Sequence, residues 1–437
     1  MKRSLTIILL IALHATLVCA QSIMADKEYR RNSLATILVY HPEDEFGINI
    51  YHAFDSLPVP DKYDDHNISS CRMISNANIN GLMRNKSGYF KAKYGHVLSA
   101  KEIEKNALKT LDILNNAQMA KHLVARWFNF TGNTVSNATF NTQLIQERGQ
   151  YDASDVDVAL AQQTTRNVAA LSDAGEELLG HTFVLVNDIT YVTAEEEAKA
   201  AKTAMNILGG VFDAVLGGNI GRNAAKLTAT IADSFTGFNV KTHSYLYQLD
   251  WNDSIAAIFY QQYYTEQPDS AKIQAFLNDQ NLFRLKYVAH QYEYDKKSTL
   301  KGKYERSELV KTICARSMDK NIVALGRKYE AFKVKTPIYS IQTDDNGRIH
   351  GYAAKIGLKE GVTEKTQFRV VQRIFDRETQ TTHYKYVATV KPVKNLIWDN
   401  RYNAVVEQDK GSELPYTTFK KVSGGEILPG MLLIEGK

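Results

Sequence analysis

Cysteine is nearly missing from this chain: three residues in 437, with Cys19 inside the N-terminal apolar run and only Cys71 and Cys314 beyond it. Two cysteines so far apart make no disulfide framework. One bridge is open to them in an oxidising compartment, and a free buried thiol is the alternative. Long hydrophobic runs are missing too. After residue 20 no uninterrupted apolar stretch reaches about 18 residues, which excludes a spanning helix there and predicts a soluble or peripherally attached protein. An excess of one charge is also lacking: 53 Lys and Arg face 48 Asp and Glu, a formal net charge of +5. So mild a balance predicts no nucleic-acid partner. No G-x-S-x-G supplies an activated serine, and no P-loop or strand-borne G-x-G-x-x-G cradles a phosphate, so no nucleotide and no cofactor is expected. No internal repeat is present.

What is there begins with a basic start, Met1-Lys2-Arg3, an apolar run from Leu5 to Val18, and Val18-Cys19-Ala20 with small or medium residues at its exit. That order reads as a secretory signal over residues 1–20, cleaved before Gln21. A lipoprotein site at Cys19 is the rival, and Thr16-Leu17-Val18 lacks the small residue wanted just before such a cysteine. Loss of Lys2 and Arg3 lowers the net charge to +3. The remaining length suggests two or three domains.

Leu34 to Tyr40 is β-branched and continuously apolar, as in a buried strand, and a polar, Pro-containing stretch follows it to about Lys93. Helical spacing returns in Ala107, Leu111, Leu114, Met119, Leu123 and Phe128, introduced by Ser99 and Glu102 in capping-box register, as one long helix or two in series ending near Trp127. Phe140 to Gln146 is a short strand or helix, and Ser154 to Leu179 reads as helical. His181 to Tyr191, with Phe183 to Val186 at its centre, is the strongest strand and is expected to lie centrally in a sheet.

Gly237 to Trp251 alternates again, with Tyr245, Tyr247, Leu249 and Trp251 on one face and Val240, Thr242 and Leu246 on the other. Helices are expected over Ile255 to Tyr264, Ser270 to Leu277 and Ser307 to Arg327, with a strand over Phe283 to Tyr292. From Ala331 short strands are punctuated at Asp344-Asp345-Asn346-Gly347, Lys359-Glu360-Gly361, Asp376-Arg377-Glu378 and Pro429-Gly430, the texture of a small all-β barrel or sandwich. The expected architecture is therefore α+β: an α/β domain over residues 21–330, with a glycine-rich helical insertion at 194–236, and a small β-barrel-like domain over 331–437.

The insertion contains Met205 to Gly221, five glycines among apolar side chains with a single charge, Asp213. The glycines follow a helix and have the wrong spacing for a phosphate loop, so they read as helix stops and close-packing points of a helical hairpin. Leu208, Phe212, Val215 and Leu216 recur at helical spacing. They form either an internal packing face or a surface for a membrane or partner.

Arg126-Trp127-Phe128, Leu144 to Arg148, the strand Thr182 to Tyr191 and Tyr245 to Asp250 follow an order of elements that resembles the periplasmic α/β domain of the curli secretion channel family. Ala354 to Gly357, Gly361-Val362, Phe368-Arg369-Val370 and Leu428 to Met431 are similar to the small barrel of the flagellar assembly protein T family. The resemblance implies a non-enzymatic envelope protein, in the periplasm, at the outer membrane or on the cell surface, that assembles or stabilises a larger structure. Its partners would be envelope proteins, a membrane surface or further copies of itself. The poor lipidation context of Cys19 and the helical reading of 194–235 depart from a curli channel, whose membrane hairpins are strands. Asp-Ser-aliphatic triplets at Asp55, Asp253 and Asp269 resemble O-glycosylation sites of secreted Bacteroidetes proteins, and Asn-x-Ser/Thr occurs at Asn67, Asn85, Asn129, Asn137 and Asn252. Both sets are near chance for this composition.

The only chemistry-bearing runs are acidic. Asp61, Asp64, Asp65 and His66 could hold a hard cation, and His41, Glu43, Asp44 and Glu45 form a second patch, yet neither has the frame of an EF-hand or a zinc helix. A solvated loop is the plain reading, and a secreted metal-dependent hydrolase using residues 61–66 is the alternative function. His122, His181 and His290 stand isolated in sequence. Cys314 falls on an apolar helical face and reads as inert core, whereas Cys71 lies in a polar segment with no base beside it.

Overall fold

A computed structural model describes residues 32–42, 44–60, 62–75, 98–151, 178–193, 235–300, 305–333, 335–375, 382–401 and 414–436. The expected signal (1–20), most of the helix expected from Ser154, the glycine-rich hairpin with Leu208, Phe212, Val215 and Leu216, and the turn at Asp376 to Glu378 lie outside the described residues.

The N-terminal domain is built on a mixed sheet. Its strands are β1 (Asn32–Tyr40), β2 (Tyr63–Asp65), β3 (Met73–Ser75), β4 (Thr182–Thr193), β5 (Phe235–Leu249) and β6 (Leu285–Leu300). β1 runs parallel to β4 on one side and to the three-residue strands β2 and β3 on the other. β4 to β5 and β5 to β6 are antiparallel. As expected, β4 is internal, with Ile37 and Tyr245 flanking Val186 on the two sides.

Helices cover both faces, which is why β1 and β4 read as continuous apolar runs. These are α1 (Gly47–Asp55), α2 (Ala100–Asn116), α3 (Met119–Trp127), α4 (Gln143–Tyr151), α5 (Asp253–Gln262), α6 (Ser270–Asn278) and α7 (Arg306–Lys328). Ala35, Ile37, Val39, Val184, Val186, Tyr245 and Tyr247 meet α2, α3, α5 and α6 in one core cluster. The alternate residues Leu34, Leu38, Leu185, Ile189, Val240 and Leu246 face α1 and α7.

Ser99 and Glu102 form the reciprocal capping box that opens α2. The expected long helix is two in series, broken where Gln118 turns left-handed at φ 55°. Two expectations need extending. The Phe283 strand continues to Leu300, because a fifteen-residue β5 offers it a partner throughout, from Leu249 opposite Leu285 to Phe235 opposite Leu300. The polar stretch after β1 contains α1, whose Ile50 and Phe54 are buried, as well as β2 and β3.

The C-terminal domain is antiparallel: β7 (Lys335–Thr343), β8 (Ile349–Ala354), β9 (Phe368–Phe375), β10 (Thr382–Pro392), β11 (Thr417–Gly424) and β12 (Leu432–Glu435). In the order β10-β11-β8-β7-β12-β9, each strand pairs with the next and β9 pairs again with β10. The β7–β8 turn uses Gly347 at φ 75°, with the Asp344 carboxylate accepting from the Asn346 and Arg348 amides, as Asp-Asp-Asn-Gly predicts.

The joint between the domains is packed. α7 stops where Tyr329 turns extended, and a short turn, Glu330–Phe332, follows. The Phe332 ring is buried against Tyr63 and Phe183, with both centroid separations 4.9 Å. Tyr63 Oη donates to the Phe332 carbonyl at 3.0 Å, and Asn32 Nδ2 to the Ala331 carbonyl at 2.9 Å. Across the joint Arg327 Nε lies 3.0 Å from Glu435 Oε1.

Candidate functional site

The residues 61–66 are not gathered as a cation site. Asp61 lies outside the described residues. Asp64 on β2 pairs with Arg148 of α4, at 3.3 Å. Asp65 accepts the Asn67 amide through Oδ1 at 2.8 Å. His66, expected in a solvated loop, is fully buried behind the Trp127 ring, with centroids 5.0 Å apart and planes inclined by 28°. The three side chains therefore turn to different partners. Among the described residues no group of three or more His, Cys, Asp and Glu side chains could hold a metal ion.

The surroundings of His66 fix its chemistry. Its Nε2 contacts the Leu123 carbonyl at 3.2 Å, and since a carbonyl only accepts, Nε2 carries the hydrogen. Nδ1 is then a bare lone pair, buried and without a hydrogen-bond partner. Burial, reinforced by the charge of Arg126, pushes the imidazole down to about 3 despite the Leu123 hydrogen bond. Trp127 is itself anchored, its Nε1 donating to Thr182 Oγ1 at 2.8 Å.

A second polar row crosses the sheet on the side of α2 and α3. His41, just after β1, lies 2.9 Å through Nε2 from Asp188 Oδ1, with Asp188 wholly buried. Asp188 stands directly opposite His243 in the β4–β5 register. His243 Nδ1 and His290 Nε2 are 2.8 Å apart, so one ring donates to the other. Two hydrogen-bonded pairs of titratable side chains, His41 with Asp188 and His243 with His290, thus lie on one side of the sheet. Sequence reading left His290 isolated, and Glu43 of the acidic patch lies outside the described residues. Strand alternation was the available signal: it puts His243 on the Tyr245 face, but only the register supplies Asp188 and His290.

Cys71 and Cys314 are free. Burial pushes the Cys314 thiol up to about 12, as suits inert core, and Cys71 is half-buried beside Ser70. Two small cavities lie along α7. One, about 40 Å³, is at the joint among Tyr63, Gly326, Lys333 and Glu435; the other, about 50 Å³, is between Phe54, Leu185, Asn187 and Met318. Each has room for a few waters and not for an organic ligand. The glycosylation-like residues have structural tasks as well: Asn252 caps α5, and Asp269 caps α6. No protein-family model matches the chain, and no curated protein matches it.

Proposed function

We propose that this chain is a non-enzymatic exported envelope protein, an assembly or scaffold component that acts by protein contact, with its C-terminal strands forming a small barrel. The observation that carries the reading is the packed joint. Phe332 is wedged between Tyr63 and Phe183, and Lys333 Nζ reaches both Glu330 and the Glu435 carbonyl, at 3.0 and 3.1 Å. Such a joint suits a protein that must hold two surfaces at a set spacing. The basic, apolar, small-residue start supports export, and the resemblance to curli-channel and flagellar assembly domains supports an assembly role. A hydrolase built on residues 61–66 is weakly disfavoured, since the described members of that run do not converge.

The test is fractionation of cells making the full chain, with N-terminal sequencing and cross-linking in place. Recovery in the envelope beginning at Gln21, cross-linked to an envelope protein or a second copy, is expected. Uncleaved protein in the cytoplasm overturns export, and mature protein that never cross-links overturns the scaffold.

A further inference from the structure

Three neighbouring strands of the C-terminal domain carry charge of one sign. β9, β10 and β11 hold Arg369, Arg373, Lys385, Lys391, Lys420 and Lys421, and none of their residues is Asp or Glu. Ala388 and Val390 lie in the domain core, so Thr389 and Lys391, which alternate with them, take the opposite face. Register extends that face across all three strands: Arg369, Thr389 and Ser423 form one rung, and Lys391 stands directly opposite Lys420 on the next.

Like charges directly opposite on paired strands repel, so the Lys391–Lys420 rung weakens the sheet that carries it. An anion outside the fold would offset it. Arg369 meets Glu330 at 3.2 Å and Lys421 Nζ donates to the Gly425 carbonyl at 3.3 Å, whereas Lys391 and Lys420 meet no carboxylate among the described residues. Two large side chains interrupt the polar surface beside them. Tyr386, its Oη 2.9 Å from Thr389 Oγ1, and Val422, skipped by the β10–β11 register between Lys421 and Ser423, are each 51% exposed.

We propose that this face of β9, β10 and β11 docks on an anionic membrane surface, with Lys391, Lys420 and Lys421 against lipid phosphates and Tyr386 and Val422 at the headgroup layer. Cations around an amphipathic ring and an aliphatic side chain suit an interface of charged headgroups over acyl chains, and a strand face presents them together to a plane. A nucleic acid or an acidic glycan would use the cations and leave Val422 in water. In the cell this docking rests on the envelope reading, which supplies the membrane; vesicles supply one without export.

The test is co-sedimentation of the full chain with vesicles of neutral phosphatidylcholine and of anionic phosphatidylglycerol, at low and high salt. Binding to the anionic vesicles should exceed binding to the neutral ones, which report whatever the apolar N-terminus contributes, and should fall in high salt. Lys391→Glu turns the like-charge rung into an opposite-charge pair, so it should melt no lower than the parent while its affinity for anionic vesicles drops about thirtyfold for two units of charge. Lys420→Glu builds the same pair from the other strand and should behave alike. Lys105→Glu, an equal change of charge at an exposed site on α2, should leave binding within about twofold of the parent. Equal binding of the parent to both vesicles overturns the docking, as does capture by heparin or single-stranded DNA with anionic vesicles left unbound, and neither result needs a variant. Undiminished binding in both rung variants, or an equal loss in Lys105→Glu, overturns it too. None of these outcomes bears on signal cleavage or cross-linking, which test export and assembly separately.

Discussion

The slot that holds His66 and the joint at 329–333 are both buried contacts beside the same sheet, and they are held by different physics. The joint is held by two aromatic contacts on Phe332 and by charge pairs at its rim. The slot is held by a neutral imidazole that bonds the Leu123 carbonyl, stacks on Trp127 and lies near two guanidinium groups. A contact made of apolar area responds little to pH. One that depends on a base staying uncharged is stable only where protons are scarce.

The sharpest way to break the joint is Phe332→Ala. Removing a fully buried ring from between Tyr63 and Phe183 should cost about 3–5 kcal/mol in urea denaturation and leave the pH response of His66 untouched. The slot's counterpart is pH itself. The folded His66 sits at about 3 and the unfolded one near 6.5, so between these values the unfolded chain binds the proton and the folded chain does not. Stability is whole above about 6.5 and falls as pH drops, by roughly 2–3 kcal/mol between pH 6.5 and 4.5 from this group. Denaturation curves of the parent and His66→Phe at both pH values isolate it.

A change belonging to neither region calibrates the comparison. Ser99→Ala removes the side-chain half of the α2 capping box and should cost about 1 kcal/mol at either pH. The smallest effect is expected at the rim. Arg327→Ala deletes a half-exposed pair with Glu435 and should cost under about 1 kcal/mol, less still in high salt, as thermal melts at two ionic strengths would report.

The parts of this fold that sequence patterns reveal are those whose neighbours impose one period. Leu34 to Tyr40 and Phe183 to Val186 are apolar at every step because helices cover both sides of them. Ser99 and Glu102 announce a helix start because the two residues satisfy each other locally. The segment from Tyr63 to Ser75 was illegible for the opposite reason. β2 and β3 are too short to show a period, and the edge of β1 alone makes them strands. His66 follows two aspartates and looks solvated, and only Trp127, far along the chain, makes it buried. His41 and Asp188 meet because parallel pairing sets Val39 beside Asp188, a register that neither segment encodes by itself.

Thr193 and Phe238 occupy one rung of the β4–β5 ladder, so the chain leaves the sheet after β4 and comes back at the same place. The intervening segment is wired as a cassette: its two ends are neighbours whatever its length. Closing a loop costs only about 0.6 kcal/mol per doubling of its length, so trading some forty residues for about five changes that cost by about 2 kcal/mol, in favour of the shorter chain. The β4–β5 pairing is thus set by two strand ends that already face each other, whatever joins them.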